Sequence, residues 1–139
     1  MPKVKFANLV GRTLEKVERQ KSRYGDSDEI LFTAKGGHTV WRMYHSNDCC
    51  EHVDIEEVIG DFQDLIGTPI LKSTEHANQE KPPKDAKYDD LWRWTFYDLS
   101  TIKGTVTIRW YGASNGYYGV AVDLKRIKGP GADDRDEGY

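Results

Sequence analysis

The sequence predicts an α+β domain: a mostly antiparallel sheet of about six to eight strands, with one helix at about residues 55–66 packed on it. Three observations predict this. Residues 91–97 and 105–111 alternate apolar and polar side chains with the period of two that a strand requires. The strand-like segments are joined by links too short for parallel crossovers. Ile55, Val58, Ile59, Phe62, Leu65 and Ile66 recur at three- and four-residue steps, the spacing of one helix face.

The elements follow in chain order. Phe6, Leu9 and Val10 form a short apolar lead-in ahead of Gly11, fitting either a strand or a turn of helix. Residues 13–19 are β-compatible, yet Leu14 and Val17 also stand at helical spacing, so both readings stay open. Residues 22–28 read as a polar turn. Residues 29–33 and 39–45 read as paired strands joined by a hairpin turn at Lys35, Gly36, Gly37 and His38. In the helix at 55–66, Asp54 is the candidate cap, Gly67 and Pro69 the stop, and Gly60 a point of weakness. On this reading Phe62, Leu65 and Ile66 face the core.

Residues 69–73 are expected to form a strand, and residues 78–88, with Pro82 and Pro83 and no apolar period, a loop. In the strand at 91–97, Trp92, Trp94 and Phe96 share one face, and Leu91, Arg93, Thr95 and Tyr97 the other. Thr101 to Gly104 reads as a tight turn. The segment from Thr105 to Asp123 then reads as two strands joined by a glycine-rich turn, a hairpin that presents Tyr111, Asn115, Tyr117 and Tyr118. The expected organisation is a single domain over 1–128 and an acidic flexible tail over 129–139.

Composition narrows the functional classes. A chain of 139 residues holds one domain with a self-sufficient core, and 12% aromatic content is too rich for a disordered chain. No run of apolar residues is long enough to span a membrane, and Lys3, Lys5 and Arg12 interrupt the N-terminal patch where a signal peptide would need one, so a cytoplasmic location is expected. Cys49 and Cys50 are adjacent, which forbids a relaxed disulfide between them and fits a reducing compartment. Residues 1–23 carry seven basic and two acidic groups, and residues 24–66 two basic and ten acidic. With a net charge of -3, this balance argues against duplex nucleic acid as a partner, whereas a small anionic ligand needs only one or two placed arginines. Four Trp, eight Tyr and four Phe exceed what one modest sheet core hides, which predicts a homo-oligomer with aromatics at the shared interface.

Two constellations carry candidate chemistry. His45, Asp48, Cys49, Cys50, Glu51 and His52 offer metal-ligand types within eight residues. Structural zinc asks for spaced cysteines, and neighbours on a strand point to opposite faces, so buried thiols beside a turn are favoured and neither metal nor cofactor is expected. The same block with a Cys–His nucleophile lacks an oxyanion hole in the following sequence. The second constellation is Arg93, Tyr97, Arg109, Tyr111, Ser114, Asn115, Tyr117 and Tyr118. Arginine forks onto phosphate, tyrosine rings stack on bases, and Ser114 and Asn115 offer bonds to a base edge, which is the chemistry of a nucleotide pocket. The competing reading makes these aromatics core and the Ser114–Gly116 stretch a plain turn.

Five blocks then line up in order: Tyr44 to Glu51; Ile59 to Asp61 with Asp64 to Ile70; Trp94 to Tyr97; Thr101 to Gly104 with Thr107 to Gly112; and Ser114 to Tyr118. From about Leu9 to Asp123 the chain resembles a family of small phage and prophage proteins without an assigned function. The resemblance implies a phage-encoded protein acting in a bacterial host cell. By analogy with other small phage proteins it implies an anti-defence role, such as a non-enzymatic sponge that sequesters a cyclic di- or trinucleotide immune signal. The alternatives are an inhibitor that covers a host defence enzyme and, with less support, a metal-dependent hydrolase built on His45, Asp48, Cys49 and His52.

Overall fold

The structure is a computed structural model, and it describes residues 5–21, 28–45, 52–78, 91–114 and 122–129. Among the described residues eight strands form two four-stranded antiparallel sheets: β1 (Leu14–Lys21), β2 (Asp28–Ala34), β3 (Val40–Tyr44), β4 (His52–Ile59), β5 (Lys72–Asn78), β6 (Leu91–Thr101), β7 (Gly104–Ser114) and β8 (Asp123–Lys128). The first sheet has the order β1-β2-β3-β8 and the second β4-β7-β6-β5. In the second sheet β5, β6 and β7 form a meander and β4 lies beside β7, the strand order of a Greek key.

One core fills the space between the sheets. Ile30, Phe32, Trp41, Met43 and Leu124 come to it from the first sheet, and Val53, Ile55, Tyr97, Leu99, Val106, Ile108 and Trp110 from the second. Alternation along each strand explains this: in β3, Trp41 and Met43 point inward while Arg42 and Tyr44 occupy the opposite face. Among the described residues eight aromatic side chains, Phe6, Phe32, Trp41, Tyr44, Trp94, Tyr97, Trp110 and Tyr111, are buried.

The hairpin at 35–38 is present, with Gly36 and Gly37 at φ of 95° and 76°, where only glycine sits without strain. The ambiguous segment at 13–19 is strand β1, and the expected strand at 69–73 begins instead at Lys72. Pro69 has no N–H to give to a ladder and makes only an isolated bridge to Thr13.

The expected α+β class and the helix at 55–66 are overturned: this segment is the end of β4 followed by a 3-10 turn, Phe62–Leu65. Val53 and Ile55 face the core at a spacing of two, then a bulge between Ile55 and Glu57 shifts the parity so that Val58 packs inward next. A strand with an extra residue, followed by a tight turn, thus imitates helical spacing. Leu65 is fully buried, as expected for the core, whereas Phe62 and Ile66 are only partly buried. Gly60 stands between strand and turn at φ 109°, and a Cβ there would lie 2.6 Å from the Thr105 carbonyl oxygen.

Two sequence blocks dock on each other at this end of the molecule. The Thr101 hydroxyl donates to the Asp64 carbonyl, and the Lys103 amine donates to the Ile66 carbonyl at 2.6 Å. The β6–β7 turn therefore holds the 3-10 turn against the second sheet.

The turn and most of the second arm of the hairpin expected from Thr105 to Asp123 lie at 115–121, outside the described residues. β7 pairs with β4 and β6, whereas β8 pairs with β3 in the other sheet. Asn115, Tyr117 and Tyr118, the Cys49–Cys50 pair and the tail beyond Gly129 lie outside the described residues.

Candidate functional site

A cleft of about 590 Å³ opens between the sheets, walled by the 3-10 turn Phe6–Leu9, by β5 and β6 on one side and by β3 and β8 on the other. Its size falls in the range of small-molecule sites. The floor is apolar, with Phe6, Met43, Tyr97 and Leu124; the polar groups are Lys5, Ser73, Thr74, Glu75 and Asp123.

Each wall has a local cause. The N-terminal turn is closed by the Asn8 amide donating to the Lys5 carbonyl at 2.9 Å and by the Lys5 amide donating to Asn8 Oδ1 at 3.0 Å. The buried Ser73 hydroxyl on β5 donates to the Phe6 carbonyl at 2.7 Å and fixes that turn to the second sheet. The Phe6 ring then meets Tyr97 edge-on, with centroids 4.6 Å apart. Tyr97 stands directly opposite Glu75 in the β5–β6 ladder, and its hydroxyl donates to Glu75 Oε2 at 3.0 Å.

Burial of Tyr97 pushes its hydroxyl well above the usual tyrosine range, and the carboxylate of Glu75, its hydrogen bond and the charge of Asp123 push the same way. The Arg93 guanidinium opposes them without reversing the direction. Tyr97 is therefore a protonated donor that orients Glu75 at physiological pH.

The expected ligand-binding residues are divided between two faces. Tyr97 lines the cleft, and Arg93, exposed on the same strand at the same parity, acts electrostatically on its hydroxyl. Arg109 and Tyr111 lie on the opposite face of the second sheet. There the Arg109 guanidinium pairs with Glu57 and lies over the rings of Trp94 at 4.8 Å and Phe96 at 5.7 Å, while Trp94 packs on the buried Tyr111 at 4.9 Å. His76 stacks on Phe96 at 5.1 Å and pairs with Asp98 at 3.4 Å. Ser114 ends β7, opposite Leu91. Arginine and aromatic rings thus meet, but as a packed ladder across the outer face of the sheet rather than at a hairpin tip.

Lys5, Ser73, Glu75 and Asp123 were not singled out by the sequence. The available signal was the alternation of Ser73 and Glu75 along residues 72–78, which sets both toward the neighbour of Tyr97 once that segment is read as a strand. Among the described residues, no group of three or more His, Cys, Asp or Glu is arranged to hold a metal ion.

Fold and cleft together define a two-sheet antiparallel domain with a ligand-sized opening between its sheets. Residues 7–124 match the family described as a domain of unknown function, DUF7448, and the chain belongs to that family. Among curated proteins and among solved structures, none matches the chain. Among the described residues, no helix is long and apolar enough to cross a membrane.

Proposed function

We propose that this chain is a non-enzymatic capture protein of phage type, which sequesters a small nucleotide signal of the cyclic-oligonucleotide kind in the cleft between its sheets. The observation that carries this reading is the cleft itself: about 590 Å³, with an apolar floor that includes Phe6 and Tyr97 and a few convergent polar groups. A nucleotide divides in the same way, into an apolar base with a polar edge and an anionic phosphate. In this reading the base enters the cleft, and the phosphate stays away from Glu75 and Asp123. Capture asks for affinity and no bond-breaking step, so the site needs a cleft and orienting groups but no general base.

The family resemblance to small phage proteins supports the anti-defence role by analogy only, since a fold hosts many functions. The reading in which the protein covers a host enzyme draws on a different place. Leu71 and Ile102 are 58% and 77% exposed, and the Leu71 amide bonds the Ser100 carbonyl, which sets both at the β6–β7 turn end of the sheet.

Calorimetry of the full chain against cyclic di- and trinucleotides tests the proposal. At least one binds below about a micromolar and is recovered intact when the protein is heat-denatured. An absence of binding across the set, together with no nucleotide released from freshly purified protein, overturns it; recovery of a cleaved nucleotide makes the protein an enzyme instead.

A further inference from the structure

Two carboxylates, Glu75 and Asp123, line the cleft. Glu75 lines the cleft from β5, and its Oε2 accepts from the Tyr97 hydroxyl at 3.0 Å. A carboxylate offers about four lone-pair sites, so this bond occupies one and fixes the plane of the group while Oε1 and the rest of Oε2 remain available to accept. Tyr97 is itself buried and tied to Phe6, so its hydroxyl is a rigid anchor. Lys5, an exposed residue, lines the same cleft, and its ammonium is within the same neighbourhood only as far as a flexible side chain carries it.

We infer that the cleft selects guanine-bearing nucleotides, with Glu75 accepting from the N1–H and N2–H₂ donors of the base and Lys5 donating to its O6 or N7; this rests on the function proposed above. The chemistry discriminates among bases. Guanine offers two adjacent donors to a carboxylate and an acceptor beside them for an ammonium. Adenine places the N1 lone pair where guanine has a donor, which sets an acceptor against an acceptor. Cytosine and uracil each offer a single donor at that edge, and uracil flanks its donor with carbonyls. The negative charge of Asp123, which also lines the cleft, raises the preference for a donor edge and disfavours a phosphate in the same place. The Tyr97 hydroxyl acts here as a positioning group that holds Glu75.

Calorimetry of the full chain with GMP, IMP, AMP and CMP, and with cyclic di-GMP and cyclic di-AMP, reads the preference directly. Guanine ligands bind roughly tenfold or more tighter than their adenine counterparts, the range a bidentate pair supplies. IMP, which lacks the N2 amine, falls between GMP and AMP. In Glu75→Gln one acceptor becomes a donor, so the guanine preference collapses while adenine binding changes little, and an unchanged melting curve shows the fold intact. Tyr97→Phe weakens GMP more than AMP by freeing the carboxylate to turn. Adenine and guanine nucleotides binding equally, or a guanine preference that survives Glu75→Gln, overturns the inference and leaves nucleotide capture standing. Binding of no nucleotide at all overturns both.

Discussion

The Asp28 carboxylate on the first sheet accepts a hydrogen bond from the Ile55 backbone N–H on the second, Oδ2 to N, at 3.0 Å. The contact is reciprocated: the Asp28 amide donates to Asp54 Oδ1 at 3.1 Å. Ile55 stands at the β4 bulge, where the ladder to β7 is interrupted and a backbone donor needs a partner from elsewhere. Asp28 is buried and is also approached by Lys21 at 3.0 Å and Arg19 at 3.4 Å, so one side chain ties the start of the inner strand β2 to the irregular point of the other sheet.

Asp28→Ala therefore leaves a buried amide without its acceptor and two cations without their anion. The expected loss is about 2–4 kcal/mol, read by chemical denaturation. Lys21→Ala, which removes an ammonium that is itself more than half exposed, should cost well under about 1 kcal/mol. Equal effects of the two variants would show that the bond to Ile55 contributes little.

Gly60→Ala combines an unfavourable backbone with a collision against the Thr105 carbonyl, a backbone atom that cannot rotate away. We expect a loss of about 2–4 kcal/mol, against about 1 kcal/mol or less at Gly11, where φ is also positive but an added Cβ meets nothing within 4 Å. Thermal unfolding of the two variants side by side decides it.

Leu65→Ala should destabilise by about 3 kcal/mol because the side chain is wholly enclosed by the core. Phe62→Ala, at a partly buried position, should cost less despite removing a larger group. The reverse order would show that Phe62, and not Leu65, is the side chain that anchors the 3-10 turn in the core.

Alkaline pH tests the environment of Tyr97. Its hydroxyl is held neutral in the folded state by burial first and by the Glu75 charge and hydrogen bond next, so the folded chain retains a proton that the unfolded chain releases near the ordinary tyrosine value of about 10. That contribution is fully present below about pH 10 and is lost as pH rises above it. The melting temperature of the native protein should fall more steeply above about pH 10 than that of Tyr97→Phe. Parallel curves would show that the hydroxyl is solvated.

The strands were legible where period and turn chemistry agree, as in β2 and β3 about Gly36 and Gly37, and in β6 and β7 about Thr101 to Gly104. The helix was misread because the β4 bulge converts Val53, Ile55 and Val58 into a two-then-three spacing, which a local pattern cannot tell from a helical face. The pairing of β8 with β3 was not legible, because alternation reports that a segment is a strand and not which sheet it joins. Tyr97 was legible as an aromatic on a strong strand. Its partner Glu75 lies 22 residues earlier and reaches it only through cross-strand register, so no local pattern announces the pair.

The central claim is that a nucleotide occupies the cleft between the sheets, and ligand-induced NMR shifts on the full chain test it most directly. Titration with the tightest-binding cyclic nucleotide should move the Met43 methyl and the ring resonances of Phe6 and Tyr97, which line the cleft, while those of Trp94 and Phe96 on the outer face of the second sheet stay in place. Shifts gathered at Trp94, Phe96 and Arg109 with Met43 and Tyr97 unmoved, or no shifts at saturating ligand, would contradict the account.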